Sequence, residues 1–335
     1  MKIKTLMDFL NKESPEPIGD QHGYSDDEKV IYIDNSRLET ARDQTESKEL
    51  LAGGTQWADQ SLGELLVDFG KLVPEDLDQI VQYQRSKGLY FGEAAVELKL
   101  VGQDDILQAL SIQFGYPYGG GEESLSKELV MAYSPFGGQA EEFRTIRGQL
   151  VSRWLSHDQK TLAVVSPESK DGRSYVAGNL ALAFSQLGRS TLLIDADLRS
   201  PQQHNNFKFT SRIGLSMLLA GRVKMEELNY LPDQFSNFQN FSILGSGAVP
   251  PNPAELLGKN AFQLILRELK KYFDVIIIDT PSAAYQADIL SITSVAGSAL
   301  LIARRGYTRT EGTKRLLSLL DQARAKVVGA VLNQY

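Results

Sequence analysis

Three short stretches hold the residues best suited to chemistry. In VVSPESKDGRSY, residues 164–175, an apolar run gives way to a small polar loop around Gly172, followed by Arg173 and Ser174. A loop of this kind binds phosphate by aiming successive backbone N–H groups and a helix N-terminus at its oxygens. Ser169, Lys170, Asp171, Gly172, Arg173, Ser174 and Tyr175 are therefore the candidate nucleotide contacts. Gly172 permits close approach, Arg173 offers a planar fork to the β- and γ-phosphates, and Ser174 offers a hydroxyl to magnesium. Against the pattern GxxxxGK[ST], Pro167 replaces the first glycine and Arg173 the lysine, so the loop alone is a weak match.

The second stretch, STLLIDADLRSP (190–201), delivers Asp195 and Asp197 at the end of an apolar run, where side chains at i and i+2 point the same way. Beside a phosphate loop such a pair can hold a metal and accept a hydroxyl proton. The third, FDVIIIDTP (273–281), ends on Asp279, placed to act on the same magnesium. Strand-end turns explain any one of these alone. All three in order, at the carboxyl ends of apolar strands separated by helices, predict a P-loop NTPase domain of α/β class with a doubly wound parallel sheet.

The elements that must position these residues follow from hydrophobic patterning. Strands are expected near 161, 190, 241, 275, 299 and 327, with helices between them and one, AEEFRTIRGQLVSRWL (140–155), ahead of them. On that helix Glu141, Arg144 and Arg147 share a side at i, i+3 and i+6. On spacing alone a solvated face is the plainer reading, and contact with a second copy the alternative. Arg304, Arg305, Arg309, Lys314 and Arg315 form a basic patch, read as ordinary surface ahead of a site for anionic lipid or phosphate. Three scattered histidines carry no metal-binding spacing.

Composition bounds the rest. With 335 residues, 42% hydrophobic and 23% charged, the chain has material for two folded units. There is no cysteine, hence no disulfide framework, which fits a reducing compartment. The opening MKIKTLMDFLNK has no cleavage site, and no apolar run reaches the roughly 18 residues of a spanning helix, so a cytoplasmic protein is expected. Net charge is −7, and residues 1–56 hold 12 acidic against 7 basic side chains, which argues against a nucleic-acid surface. With Pro15, Pro17, Gly19, Gly23, Gly53 and Gly54 among mixed charges, residues 1–57 are expected to be a flexible acidic tail. The segment around Val30–Ile33 is its one candidate docking piece.

Residues 58–118 form a tandem repeat. Displaced by 29 positions, LGELLVDFGKLVPEDLDQIVQYQ (62–84) lies on FGEAAVELKLVGQDDILQALSIQ (91–113), pairing Gly63 with Gly92, Glu64 with Glu93, Asp76 with Asp105 and Gln84 with Gln113. Each unit reads as helix, turn, helix, and two copies bury one shared face. This region resembles the small N-terminal domain of type II secretion and type IV pilus assembly ATPases. Some members of that family bind cyclic di-GMP with an arginine before the first LG. Here Ser61 stands at that place and Lys99 replaces the glycine that Gly70 supplies, departures that favour a docking role over cyclic di-GMP. A linker with one helical turn, 119–138, is expected to join this domain to the next.

Residues 139–335 resemble the bacterial tyrosine kinases of exopolysaccharide and capsule export, on the phosphate loop, the strand followed by DADLR, the DTP, GSGAVPPNPAELL (245–257) and the closing VVGAVLNQY. The resemblance implies an ATP- and Mg2+-dependent tyrosine autokinase, with Asp195 as base and metal ligand, Asp197, Asp279 and Ser174 supporting magnesium, and Asn333 contacting the base. It further implies a ring of subunits packed through Glu141, Arg144 and Arg147. The expected partners are the cytoplasmic tail of a transmembrane chain-length determinant (co-polymerase) and a tyrosine phosphatase, at the inner face of the cell membrane. Relatives carry a cluster of C-terminal tyrosines. Here Tyr335 alone is the candidate acceptor. Two readings from other classes stay open: a nucleotide-dependent assembly switch that phosphorylates nothing, and a positioning ATPase.

Overall fold

The computed structural model describes residues 3–4, 61–113 and 125–334, except 157, 211–212, 228–237, 239 and 259. They fall into two compact units, 61–113 and the remainder.

The first unit is four helices: α1 (Leu62–Asp68), α2 (Pro74–Lys87), α3 (Phe91–Glu97) and α4 (Gln103–Gln113). The 29-residue repeat is visible in how each helix begins. Glu64 accepts the N–H of Ser61 at 2.7 Å and Glu93 that of Tyr90 at 2.9 Å. Asp76 and Asp105 likewise accept the N–H groups of Val73 and Gly102, each at 2.9 Å. The four matched acids are thus N-terminal caps that satisfy otherwise orphaned donors. The paired glycines are packing sites, since a Cβ on Gly63 would lie 2.9 Å from Leu77, and one on Gly92 3.0 Å from Ile106. Leu65, Leu66, Ile80, Ala94, Ala95 and Ala109 are fully buried between the two repeats.

The second unit is built on a seven-stranded sheet: β1 (Ile3–Lys4), β2 (Thr161–Val165), β3 (Thr191–Asp195), β4 (Phe241–Leu244), β5 (Val275–Asp279), β6 (Ser298–Arg304) and β7 (Lys326–Asn333). The spatial order is β1-β7-β6-β2-β5-β3-β4, with β2 to β7 parallel throughout. These six strands are the six expected from patterning. Its helices are α5 (Val130–Tyr133), α6 (Gly138–Arg153), α7 (Arg173–Ser185), α8 (Gln203–Asn206), α9 (Leu215–Leu219), α10 (Pro253–Leu257), α11 (Asn260–Leu269), α12 (Gln286–Ala296) and α13 (Thr310–Gln322).

Strands β2 to β6 are buried on both faces, and alternate residues feed two separate cores. Leu162 and Val164 join Phe143, Ile146, Leu150, Leu180, Phe184 and Phe207 on one side. Ala163 and Val165 join Phe262, Leu266, Ile289, Leu316 and Leu320 on the other. Truncating a fully buried aromatic such as Phe184 in such a core typically costs about 3–5 kcal/mol.

Two expectations need correction. Within the tail, Ile3–Lys4 pairs antiparallel with β7, Ile3 opposite Val331 and Lys4 opposite Ala330. Without it β7 would be an edge strand with a free row of backbone donors and acceptors, which a further strand satisfies. The rest of residues 1–57, Val30–Ile33 included, lies outside the described residues. The stretch expected as a linker does contain one helical turn, α5, but Leu125, Leu129, Met131 and Ala132 are buried in the second unit's core. Asn179 of α7 clamps it, accepting the N–H of Met131 at 3.0 Å and donating to the carbonyl of Glu128 at 2.9 Å.

Candidate active site

Because β2, β5 and β3 are neighbours, their carboxyl ends deliver the phosphate loop, Asp279 and Asp195 side by side, and Asp195 and Asp279 are register partners. The loop from Ser166 to Gly172 turns through left-handed backbone at Lys170 (φ 65°) and Gly172 (φ 97°) before α7 begins at Arg173. Successive αR and αL residues leave N–H groups converging on a concavity, and the helix N-terminus adds its positive pole.

The loop is pinned at each corner. Asp171, fully buried, accepts the N–H of Glu168 at 2.9 Å and the hydroxyl of Thr308 at 2.6 Å. Asn333, at the end of β7, donates to the carbonyl of Asp171 at 3.1 Å. Arg173 is 8% exposed and turned inward: Nε donates to the carbonyl of Thr280 at 2.7 Å, and one terminal nitrogen donates to Ser166 Oγ at 2.6 Å and to the carbonyl of Glu168 at 3.2 Å. Its other terminal nitrogen lies 3.8 Å from Asp197. The guanidinium therefore joins the loop, the DTP turn and the Asp195–Asp197 turn.

The carboxylates are held differently. Asp195 accepts N–H groups from Asp197, Gln202 and Gln203 at 3.2, 3.2 and 3.0 Å. Asp197 accepts those of Arg199 and Ser200 at 3.2 and 2.9 Å, so it shapes its own turn as well as facing Arg173. Asp279 is fully buried; Oδ2 accepts the amide of Gln203 at 2.7 Å while Oδ1 has no hydrogen-bond partner. Burial, then the neighbouring Asp279 charge, pushes the Asp195 carboxyl well above the usual carboxylate range. Burial also raises Asp279, against the pull of the Arg173 charge and of the Ser174 hydroxyl and Gln203 amide. Two carboxylates crowded out of water in this way favour a cation or a proton between them.

A divalent cation fits this donor set. Asp279 Oδ1 is a buried acceptor with nothing to accept, and Ser174 supplies a hydroxyl near the same carboxylate. Among the described residues no three His, Asp or Glu side chains form a metal cage by themselves. Magnesium does not need one, because it is commonly held by one or two carboxylates plus phosphate oxygens and water.

Other predicted residues fall as follows. Ser169 and Lys170 lie in the loop, with the Lys170 carbonyl 3.5 Å from an Arg304 terminal nitrogen. The Tyr175 ring packs edge-on against Phe143, centroids 5.6 Å apart. Glu141 and Arg144 pair within one chain at 2.8 Å, and Arg147 donates to the carbonyl of Ala183 at 2.7 Å. Tyr335 lies outside the described residues. Four residues here carried no sequence signal. Gln203 and Thr308 are common polar types without a motif, and Thr308 meets Asp171 from 137 positions away. Asp288, 1% exposed, receives Arg199 bidentately at 2.7 and 3.1 Å, and the Arg199 guanidinium lies 4.3 Å from the centre of the Tyr285 ring.

The repeat unit has a groove of about 680 Å³, with walls of Tyr90, Phe91, Val96 and Ile106 beside Glu93 and Glu97. Among the described residues its lining holds Glu93 and Glu97 and no Lys or Arg, a set that does not favour a phosphodiester.

No protein-family model matches the chain. The tyrosine-protein kinase YwqD of Bacillus subtilis is 32% identical over 209 residues, 62% of this chain and 86% of that one. The tyrosine-protein kinase Etk of Escherichia coli is 30% identical over 60% of this chain, but the match spans only 27% of Etk's own length. The crystal structure of the chimerical protein CapA2B2 superimposes with a TM-score of 0.57 and 28% identity, covering 68% of this chain and 97% of that one. The kinase domain of Etk gives the same TM-score and identity over 62% of this chain and 79% of its own.

Proposed function

The chain belongs to the bacterial tyrosine-protein kinases, and on that premise we propose that it is an ATP- and Mg2+-dependent protein tyrosine autokinase acting in exopolysaccharide polymerisation or export. The observation that carries this reading is the pairing of Asp195 with Asp279 at adjoining strand ends, beside a phosphate loop fixed by Arg173 and Asp171.

Each residue has a defined task. The N–H groups from Ser169 to Tyr175 receive the β- and γ-phosphates, with Lys170 and Gly172 supplying the turns that aim them. Ser174 and Asp279 would hold magnesium and Asp195 would share it, while Asp197 keeps Arg173 facing the loop. Magnesium supplies charge neutralisation on the β- and γ-phosphates. Asp195 accepts the tyrosine hydroxyl proton as the phenolic oxygen bonds to the γ-phosphorus and the bond to the β–γ bridging oxygen breaks, leaving ADP. Asn333, donating to the loop carbonyl of Asp171, borders the place for the base.

Self-association through Glu141, Arg144 and Arg147 would feed one chain's Tyr335 to its neighbour. The partner is then the cytoplasmic tail of a membrane chain-length determinant, with a tyrosine phosphatase reversing the mark. This places the chain at the inner face of the membrane, and among the described residues no helix is long and apolar enough to cross it. The repeat domain is proposed as 58–118, and the kinase domain takes in β1 and the stretch from Leu125 as well as 139–335. One observation favours a second reading, a nucleotide-driven assembly switch without phosphotransfer: Arg173 turns Nε and one terminal nitrogen inward to Thr280, Ser166 and Glu168.

Incubation with Mg2+ and labelled ATP, with and without the partner's tail, followed by mass spectrometry, separates the two. Phosphotyrosine that vanishes in Asp195→Asn is the expected result. Nucleotide binding with no phosphotyrosine in either condition leaves the switch.

A further inference from the structure

We infer that Gln203 is a positioning residue of this site: from one amide nitrogen it holds the Asp279 carboxylate and the main chain of Ser174, leaving a single Asp279 oxygen for the metal. The inference rests on the reading of the site as a magnesium-nucleotide centre.

Gln203 opens α8, directly after the Asp195–Asp197 turn, and is fully buried. Its Nε2 donates to Asp279 Oδ2 at 2.7 Å and to the Ser174 carbonyl at 3.0 Å. Both partners are acceptors, so the amide can face only one way. Its own backbone N–H donates to Asp195 Oδ2 at 3.0 Å. One residue thus touches all three strand-end elements of the site.

The consequence for Asp279 is geometric. A carboxylate torsion is broad and nearly two-fold, and nothing in a β-strand end fixes which oxygen faces outward. A charge-assisted bond to Oδ2 does fix it, and Oδ1 is then the oxygen that is buried without a partner. The contact to the Ser174 carbonyl fixes the first turn of α7, whose Ser174 hydroxyl lies near the same carboxylate. Space for the arrangement comes from Gly178, where a Cβ would sit 3.3 Å from Gln203 Oε1 and 3.3 Å from Phe207.

Gln203→Met keeps the length and volume of the side chain and the backbone bond to Asp195 but removes both amide bonds. In the full chain, a fluorescent ADP analogue is titrated at fixed Mg2+ and again in EDTA, and the Mg2+ requirement for binding is measured. The Met variant is expected to need about 10- to 100-fold more Mg2+, with binding in EDTA within about twofold of wild type. In an Asp279→Asn background the same change is expected to add less than half of its effect alone, since the carboxylate is one of the two groups the amide holds. An unchanged Mg2+ requirement, an equal loss with and without Mg2+, or an additional loss of half or more beside Asp279→Asn would each overturn the role of Gln203. A wild-type chain that binds no nucleotide in Mg2+ would overturn the underlying reading of the site instead. Thermal unfolding checks the variant's integrity; should the Met variant not fold, Gln203→Leu is read in the same titration.

Discussion

Arg173 Nε donates to the carbonyl oxygen of Thr280 across 2.7 Å, tying the side chain at the loop's lysine position to the strand end that carries Asp279. The guanidinium is a structural latch and a charge at once, and the two roles separate by substitution. Arg173→Ala removes both, and the loss of a preorganised donor at the transferring group is expected to lower single-turnover phosphotransfer about 10²- to 10³-fold. Arg173→Lys keeps the charge but not the fork, so activity within about tenfold of wild type is expected, together with a lower melting temperature from the vacated Thr280 and Ser166 acceptors. If lysine loses as much activity as alanine, fork geometry is the requirement.

The fold and the acidic centre were legible because they rest on local patterns. Six apolar runs predicted six parallel strands, and Asp195 and Asp279 close two of them. What the chain order concealed is contact made across the fold. Asp171 reads as one of the loop's nucleotide contacts, yet its side chain is buried and meets Thr308, on the turn after β6. Tyr175 sits in the loop-helix motif, but helical geometry rotates its ring onto Phe143. The matched acids of the repeat read only as aligned positions and are helix caps, a role their three-residue offset from Ser61, Val73, Tyr90 and Gly102 could have suggested.

Thr308→Val tests the Asp171 anchor. Valine fills the same volume but leaves a buried carboxylate oxygen without its 2.6 Å donor and the Arg304 N–H without its acceptor. A loss of about 1–3 kcal/mol is expected from such unmade bonds, seen as a fall in the denaturation midpoint, with weaker nucleotide binding from a loosened loop. Unchanged stability would mean that water replaces the hydroxyl.

The paired acids should make the metal-free protein pH-sensitive in a definite direction. Asp195 and Asp279 both titrate above an ordinary carboxylate when folded. Between the unfolded value of about 4 and the raised folded values, the folded chain therefore binds more protons than the unfolded one, and stability contributed by these groups is lost as pH rises through that window. Asp279→Asn removes one charge and relieves the other, so it is expected to flatten the dependence and raise the metal-free melting temperature at neutral pH by roughly 2–4 °C, about 1 kcal/mol. A lower melting temperature would show that attraction to Arg173 outweighs the repulsion.

Gly70 and Lys99 occupy equivalent places in the two repeats and share left-handed backbone, φ 64° and 59°. Glycine enters that region freely, whereas a residue with a Cβ pays roughly 1–2 kcal/mol. Nothing lies within 4 Å of a Cβ built on Gly70, so packing does not enter the comparison. Lys99→Gly is therefore expected to stabilise the helical unit by about 0.5–1 kcal/mol after glycine's greater unfolded-state entropy is offset, and Gly70→Lys to destabilise it by a similar amount. Hydrogen exchange of the amides in 61–113 of the full chain reads both. Slower exchange in the first variant and faster in the second is the expected pair, and a shift in the second alone would mean that the Lys99 side chain makes contacts worth as much as its strain.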